Sequence, residues 1–165
     1  MRSANRAALA AAAGAVVIAV GLVSGAMRTE AAIDAKAVIE ARQQAMKDNA
    51  GHMKAINGFV ESGQGDAAMV AEHATAIAAI AKKIPELFPE GTSLADGHGV
   101  KTAAKPEIWS DRAGFEQAAM TLGTEAEELA QAAAGGDKQA IAAAFGELGK
   151  NGCGGCHSKF RQKQD

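Results

Sequence analysis

The chain has 165 residues, enough for one domain and a targeting segment. With 17 basic and 19 acidic residues its formal net charge is -2, which excludes the strongly basic surface that nucleic-acid binding requires. Apolar residues make up 48% of the chain but aromatic residues only 4%. This composition favours closely packed helices around a bulky group that comes from outside the chain.

The N-terminus has the pattern of an export signal. Arg2 and Arg6 precede a run of 21 uncharged residues from Ala7 to Met27, and small residues at 24–26 match what signal peptidase requires. We therefore predict that residues 1–26 direct the chain to the bacterial periplasm. A run of this length is also sufficient to span a bilayer, so a retained N-terminal anchor is the alternative.

Residues 31–165 predict an all-α domain, because no segment alternates apolar and polar residues as a strand does. The first helix is expected from about Ala31 to about Val60, with Met46 and Met53 on its apolar side. Glycines at 63 and 65 end it, and Asp66 is a suitable N-cap for a second helix that reaches Pro85. The apolar stripe of this second helix is Ala67, Val70, Ala74, Ile77, Ala81 and Ile84.

A long connection covers residues 85–105, and Pro106 then fits the first turn of a third helix. The stripe of the third helix is Ile108, Phe115, Ala119, Leu122, Ala126, Leu129 and Ala133. After the Gly135-Gly136 break, Asp137 caps a fourth helix that runs to about Gln162, with Ile141, Phe145 and Leu148 inward. Links that are short, long and short predict an antiparallel four-helix bundle.

The sequence Cys153-Gly154-Gly155-Cys156-His157 on the last helix is a Cys-x-x-Cys-His motif. Two thiols on one helical turn can add to the two vinyl groups of haem, and the adjacent imidazole then reaches the iron. The motif therefore predicts one covalently attached haem c, an iron cofactor, on the C-terminal helix.

Three other interpretations of the cysteines fit less well. A zinc site needs about four ligands, and the remaining histidines at 52, 73 and 98 lack metal-binding spacing. A thioredoxin-like pair belongs in a βαβ setting, which is absent from the sequence pattern. A structural disulfide would leave His157 unexplained.

A haem motif on the last helix of a four-helix bundle resembles the class II c-type cytochromes, the cytochrome c′ family. The segments at 41–43 and 153–161, together with Met46 and Met53, carry this resemblance, and the segments at 46–49, 87–89 and 106–109 are most similar to the low-spin cytochrome c-556 group. The resemblance implies thioether links at Cys153 and Cys156 and proximal ligation by His157. It also implies that Arg42 and Gln43 lie near the haem propionates and that Arg161 lies beside the proximal face.

The same resemblance places Met46 on the distal side of the iron, where it is the sixth ligand in the c-556 group and only a neighbour of the iron in other members. Arg42, Met46 and Met53 share one helical face, so a cation can address a propionate while the thioether faces the iron. Met53 and Met69 are expected to fill the core. His52 is a second choice of ligand, off this line and partly exposed, and Trp109 and Phe115 are expected in the core.

His157 and Met46 together predict a six-coordinate, low-spin carrier that transfers single electrons between periplasmic redox partners. The alternative is a five-coordinate protein that binds NO or CO as a gas-binding module. A third possibility is a haem subunit tethered to a membrane complex through a retained N-terminus. No set of catalytic residues accompanies the motif, so we expect a protein that is not an enzyme. The resemblance implies pairing through the first two helices, but their outer faces carry charge here, so monomer and homodimer both stay open.

Overall fold

The computed structural model describes residues 34–163, so the predicted targeting segment lies outside the described residues. This part of the chain is helical, and its only strand-like pairing is one isolated bridge between Ala104 and Arg161. The α-helices are α1 (Ala35–Ser62), α2 (Ala67–Lys83), α3 (Glu107–Ser110), α4 (Arg112–Gly135), α5 (Lys138–Glu147) and α6 (Gly155–Phe160). Within residues 34–163 no helix has the length and apolar character needed to cross a membrane.

The predicted four-helix bundle is confirmed. Each long helix packs against two others: α1 contacts α2 and α5, and α4 contacts the same two helices. Asp66 and Asp137 accept hydrogen bonds from backbone N–H groups in the first turns of α2 and α5, as predicted for N-caps. Gly136 ends α4 in the left-handed conformation that a residue without a Cβ adopts freely.

The third helix is interrupted, which the sequence did not predict. The short helix α3 stops at Asp111, whose backbone leaves the helical region, and α4 starts at the next residue. The Asp111 carboxylate accepts a hydrogen bond from Gly114 N, and this cap competes with a continuous helix.

The core confirms the predicted stripes of the second and third helices. Every predicted stripe residue from Val70 to Ile84 and from Ile108 to Ala133 is buried, and the many alanines among them let α2 and α4 approach closely. On α1 the core residues are Ile39, Ile56 and Phe59, whereas Met46 and Met53 are only half-buried. On the fourth helix Ile141 and Leu148 are buried as predicted, while Phe145 is half-buried.

The last helix changes its winding just before the cysteines. Between α5 and α6 the chain forms a π-helical segment, Leu148–Gly154, and α6 ends at Phe160 rather than at Gln162. Gly152 in this segment is buried against α4, and a Cβ there would lie 3.1 Å from Leu122 Cδ1 and 3.1 Å from Leu148 Cδ1. π-Helical turns are frequent at functional sites, and this one leads directly into the two cysteines.

We predict that Gly152→Val lowers the free energy of unfolding by about 1–3 kcal/mol, because the added methyl groups overpack the contact with Leu122. Urea unfolding followed by circular dichroism measures this change. Gly146→Val is the matched control, since a Cβ at that exposed position meets nothing within 4 Å. Equal urea midpoints for the two variants would contradict the predicted overpacking.

Candidate haem site

A cavity of about 610 Å³ lies between α1, the long connection and α6. This volume is within the range of about 300–1,000 Å³ that is usual for cofactor and ligand pockets. The structure brings six of the seven predicted site residues to its wall: Arg42, Gln43, Met46, Cys156, His157 and Arg161. The seventh, Cys153, lies one turn earlier, half-buried against the core.

The long connection closes one side of the cavity by pairing with the C-terminal end of the chain. Lys105 N donates to Phe160 O at 3.1 Å, and Gln162 N donates to Ala103 O at 2.8 Å. Near the start of the connection, Pro89 O accepts a hydrogen bond from Trp109 Nε1 at 3.0 Å. The first two of these hydrogen bonds hold the long connection against the last helix.

The inner wall of the cavity is apolar. It is formed by Ile84, Phe88, Ile108, Phe115 and Phe160. The ring centroids of Phe115 lie 4.9 Å from Phe88 and 5.3 Å from Phe160, so three aromatic rings form one packed cluster. The sequence predicts Phe115 in the core. It does not predict the burial of Phe88, because the long connection has no apolar periodicity.

The rim of the cavity is positively charged. Arg42, Lys47, Lys101 and Arg161 line it, and in the described part of the chain no aspartate or glutamate does. An apolar wall with a cationic rim fits a flat macrocycle that carries two carboxylates, which is the shape and charge of haem. The residues that are present therefore fit the cofactor that the Cys-x-x-Cys-His motif predicts.

The cysteines are free thiols in this environment. Burial raises the pKa of Cys153, and burial together with the charge of Cys153 raises the pKa of Cys156 to about 11. Both side chains are thus protonated near pH 7, a state that suits addition to a vinyl group and disfavours thiolate binding of zinc. Partial burial and the nearby charge of Arg161 lower the pKa of His157 and favour the neutral imidazole that ligates a metal.

Arg42 is 2% exposed and connects α1 to the long connection. Its guanidinium donates to Thr92 Oγ1 at 3.1 Å, to Thr92 O at 2.8 Å and to Thr102 Oγ1 at 3.0 Å. Its Cζ atom also lies 4.8 Å from the ring centroid of Phe88. Burial lowers its pKa from the ordinary value of 12.5, and an arginine stays protonated in proteins.

Arg42 therefore has a structural role that the sequence did not predict. Three of the five N–H donors of its guanidinium are used within the chain, which leaves two for a propionate. Gln43 uses its Nε2 atom on Lys101 O at 2.7 Å, so its amide is also already engaged with the connection.

Of the remaining candidates, Met53, Met69 and Trp109 are half-buried rather than in the core as predicted. Met53 and Met69 pack against the core from half-buried positions. His52 is half-buried and lies outside the cavity, where its Nδ1 atom is 2.8 Å from Nδ1 of His73. Among the described residues 34–163, Met46 is the only imidazole or thioether side chain besides His157 that lines the cavity.

An antiparallel helical bundle with paired thiols, an imidazole and a cavity shaped for a macrocycle defines a c-type haem protein. The family model of Cytochrome C′ matches residues 37–161. The chain belongs to the cytochrome c′ family, and its cofactor is one covalently attached haem c.

Individual relatives agree with this assignment. Cytochrome c′ of Pararhodospirillum photometricum is 41% identical over 128 residues, which cover 77% of this chain and 98% of the relative. The crystal structure of cytochrome c′ from Rubrivivax gelatinosus is 36% identical and covers 76% of this chain and 94% of its own, with a TM-score of 0.65.

Two further similarities bear on the sixth ligand of the iron. Cytochrome c-556 of Agrobacterium tumefaciens is 34% identical over 76% of this chain and 98% of the relative. A nitric oxide complex of a mutant of cytochrome c prime from Alcaligenes xylosoxidans is 28% identical, covers 78% of this chain and 97% of its own, and has a TM-score of 0.67. Membership of the c-556 group is not confirmed by these similarities.

Proposed function

We propose that this protein binds small neutral ligands such as NO or CO at a five-coordinate haem, with His157 on the opposite face of the iron. Similarity to proteins named cytochrome c′, one of them solved with nitric oxide, favours this function over the electron carrier that the sequence first predicted. The bound haem supplies an iron centre with an open coordination site. The chain's part is to hold that site in an apolar cavity that excludes charged ligands.

The observation that carries the proposal is the similarity to proteins named cytochrome c′, one of them solved as a nitric oxide complex, because the position of Met46 is compatible with both functions. The half-buried side chain of Met46 lines the cavity. If its sulfur does not ligate, the described residues that line the cavity include no other thioether or imidazole besides His157. A flexible methionine then acts as an apolar filler that a small ligand can displace.

We assign the other site residues by the chemistry of their side chains. Cys153 and Cys156 form the thioether links, and His157 is the proximal ligand. Arg161 lies on the rim and neutralises propionate charge, and Arg42 contributes the two N–H donors that the long connection leaves unused. Gln43 positions Lys101 on the same rim through its hydrogen bond to the Lys101 carbonyl oxygen.

The second candidate function is single-electron transfer by a six-coordinate haem with His157 and Met46 as ligands. It is favoured by the presence of Met46 on the cavity wall and by the relative named cytochrome c-556. In either case we propose a non-enzymatic protein of the periplasm whose partners there are redox proteins or diffusible ligands. A homodimer and a retained N-terminal anchor stay predictions.

The experiment that separates the two functions is an optical titration of the reduced holoprotein with CO and with NO. We expect prompt binding with a shift of the Soret band in the unmodified protein, because the sixth site is open. Met46→Ala then also binds both ligands, and with higher affinity, since the filler is gone.

A low-spin reduced spectrum that CO leaves unchanged would contradict gas binding. If Met46→Ala then converts the protein to a high-spin form that binds CO, Met46 is the sixth ligand and the electron carrier is the correct function. Met53→Ala is the matched control, because Met53 lies on the same helix face but does not line the cavity.

A further inference from the structure

A pair of histidines outside the haem cavity joins the first two helices. His52 on α1 and His73 on α2 are 21 residues apart in sequence, and their Nδ1 atoms lie 2.8 Å apart. The ring centroids are 5.1 Å apart and the rings are tilted by 48°. Both side chains are half-buried, and neither forms an ion pair with a carboxylate in the part of the chain that the structure describes.

We propose that His52 and His73 form a two-imidazole site for a divalent transition-metal ion with tetragonal preference, Cu²⁺ above Ni²⁺. Imidazole nitrogen is a common ligand of these ions, and the two helices supply one ligand each from positions that the bundle holds fixed. Neither residue lines the haem cavity, so the site is independent of the proposed ligand binding at the haem.

The angle between two ligands at the metal determines how far apart their nitrogen atoms lie. With metal–nitrogen bonds of about 2.0–2.1 Å, two ligands at a right angle lie about 2.9 Å apart, whereas two tetrahedral ligands lie about 3.3–3.4 Å apart. The 2.8 Å hydrogen bond of the metal-free pair is close to the right-angle separation, so only small rotations of the rings are needed to reach it. Such geometry is typical of Cu²⁺ and Ni²⁺, and the general order of affinities places Cu²⁺ first.

Binding requires only a local change of protons. In the hydrogen bond one ring donates its Nδ1 proton to the Nδ1 lone pair of the other. When the metal binds, the donor ring moves this proton to its Nε2 atom through solvent, and small rotations turn both lone pairs to one point. Residues 34–163 contain no cluster of three or more His, Cys, Asp or Glu suited to a metal, so water completes the coordination.

The test is a titration of the holoprotein with Cu²⁺, followed by calorimetry and by the electron paramagnetic resonance of bound copper. We expect one strong site per chain, with two imidazole nitrogens in the equatorial plane. His52→Gln and His73→Gln should each lower the affinity by about tenfold or more, because each removes one of two protein ligands. Ni²⁺ and Zn²⁺ should bind more weakly than Cu²⁺.

The matched control is His98→Gln, because His98 is exposed and its Nε2 atom is bonded only to Gly91 O in the long connection. This variant should keep the copper affinity of the unmodified protein. The resonance spectrum of the unmodified protein requires no variant, so a folding defect cannot mask the result. Binding without coordinated imidazole, or equal affinity in the unmodified protein and in His73→Gln, would overturn the proposal.

Discussion

A protein in which Cys153 and Cys156 are both replaced by serine is expected to contain no covalently bound haem. The two thiols lie on one turn of the last helix, beside the cavity that fits the macrocycle. A serine hydroxyl does not form the thioether, so haem that enters the cavity is held only by packing and by His157. Haem staining of a denaturing gel measures the loss, which should be complete, and the intact mass should be that of the polypeptide alone.

The single variants separate the two links. Cys153→Ser and Cys156→Ser should each retain haem on the remaining cysteine, with a shifted reduced spectrum because one vinyl group stays unsaturated. Ser158→Ala is the control, since Ser158 is exposed on the same helix and its hydroxyl donates only to Gly155 O. Haem that stays with the double variant under denaturing conditions would show that the attachment is elsewhere.

The helices and the haem motif could be predicted from the sequence because their signals are local. Apolar residues at helical spacing identified the buried faces of α2 and α4, and aspartates at positions 66 and 137 identified two helix starts. The motif itself occupies five consecutive residues. Even so, the break at Asp111 was missed, because a cap inside an apolar stripe becomes visible only when the side chain is seen to accept from Gly114 N.

The rest of the site could not be predicted because it depends on contacts between distant segments. Phe88 and Thr92 are buried because the long connection packs against the bundle. The connection has no apolar periodicity from which this burial could be predicted. The π-helical winding before the cysteines depends on the fit of Gly152 against Leu122, 30 positions earlier in the sequence. The His52–His73 pair likewise exists only because α1 and α2 pack side by side.

Arg42 shows how a sequence-based prediction covers only part of a residue's role. The family resemblance predicts that it binds a propionate, and the structure shows that it also holds the long connection in place. A buried guanidinium that donates to Thr92 and Thr102 fixes the connection at two points, 10 residues apart. The connection in turn carries Phe88 and Lys101 to the cavity. The position of the rim therefore depends on a residue of α1.

We expect Arg42→Ala to lower the free energy of unfolding of the holoprotein by about 3 kcal/mol. Hydrogen bonds to a charged group contribute about 1.5–3 kcal/mol each, but removal of a buried cation also relieves its desolvation, so the net loss is smaller than their sum. Urea unfolding gives the free energy. Hydrogen exchange locates the effect, and amides at 88–104 should exchange faster while those in the centres of α2 and α4 keep their protection.

Two variants test whether the stability that Arg42 contributes comes from its hydrogen bonds to the long connection or from its positive charge. Gln43→Ala removes an exposed hydrogen bond from the next residue and should cost no more than about 1 kcal/mol. Arg42→Lys keeps the positive charge but lacks the planar set of donors, so it should lose most of the stability that Arg42→Ala loses. Unfolding of Arg42→Lys at the midpoint of the unmodified protein would mean that charge alone matters. The hydrogen bonds to Thr92 and Thr102 would then not be what holds the connection over the haem cavity.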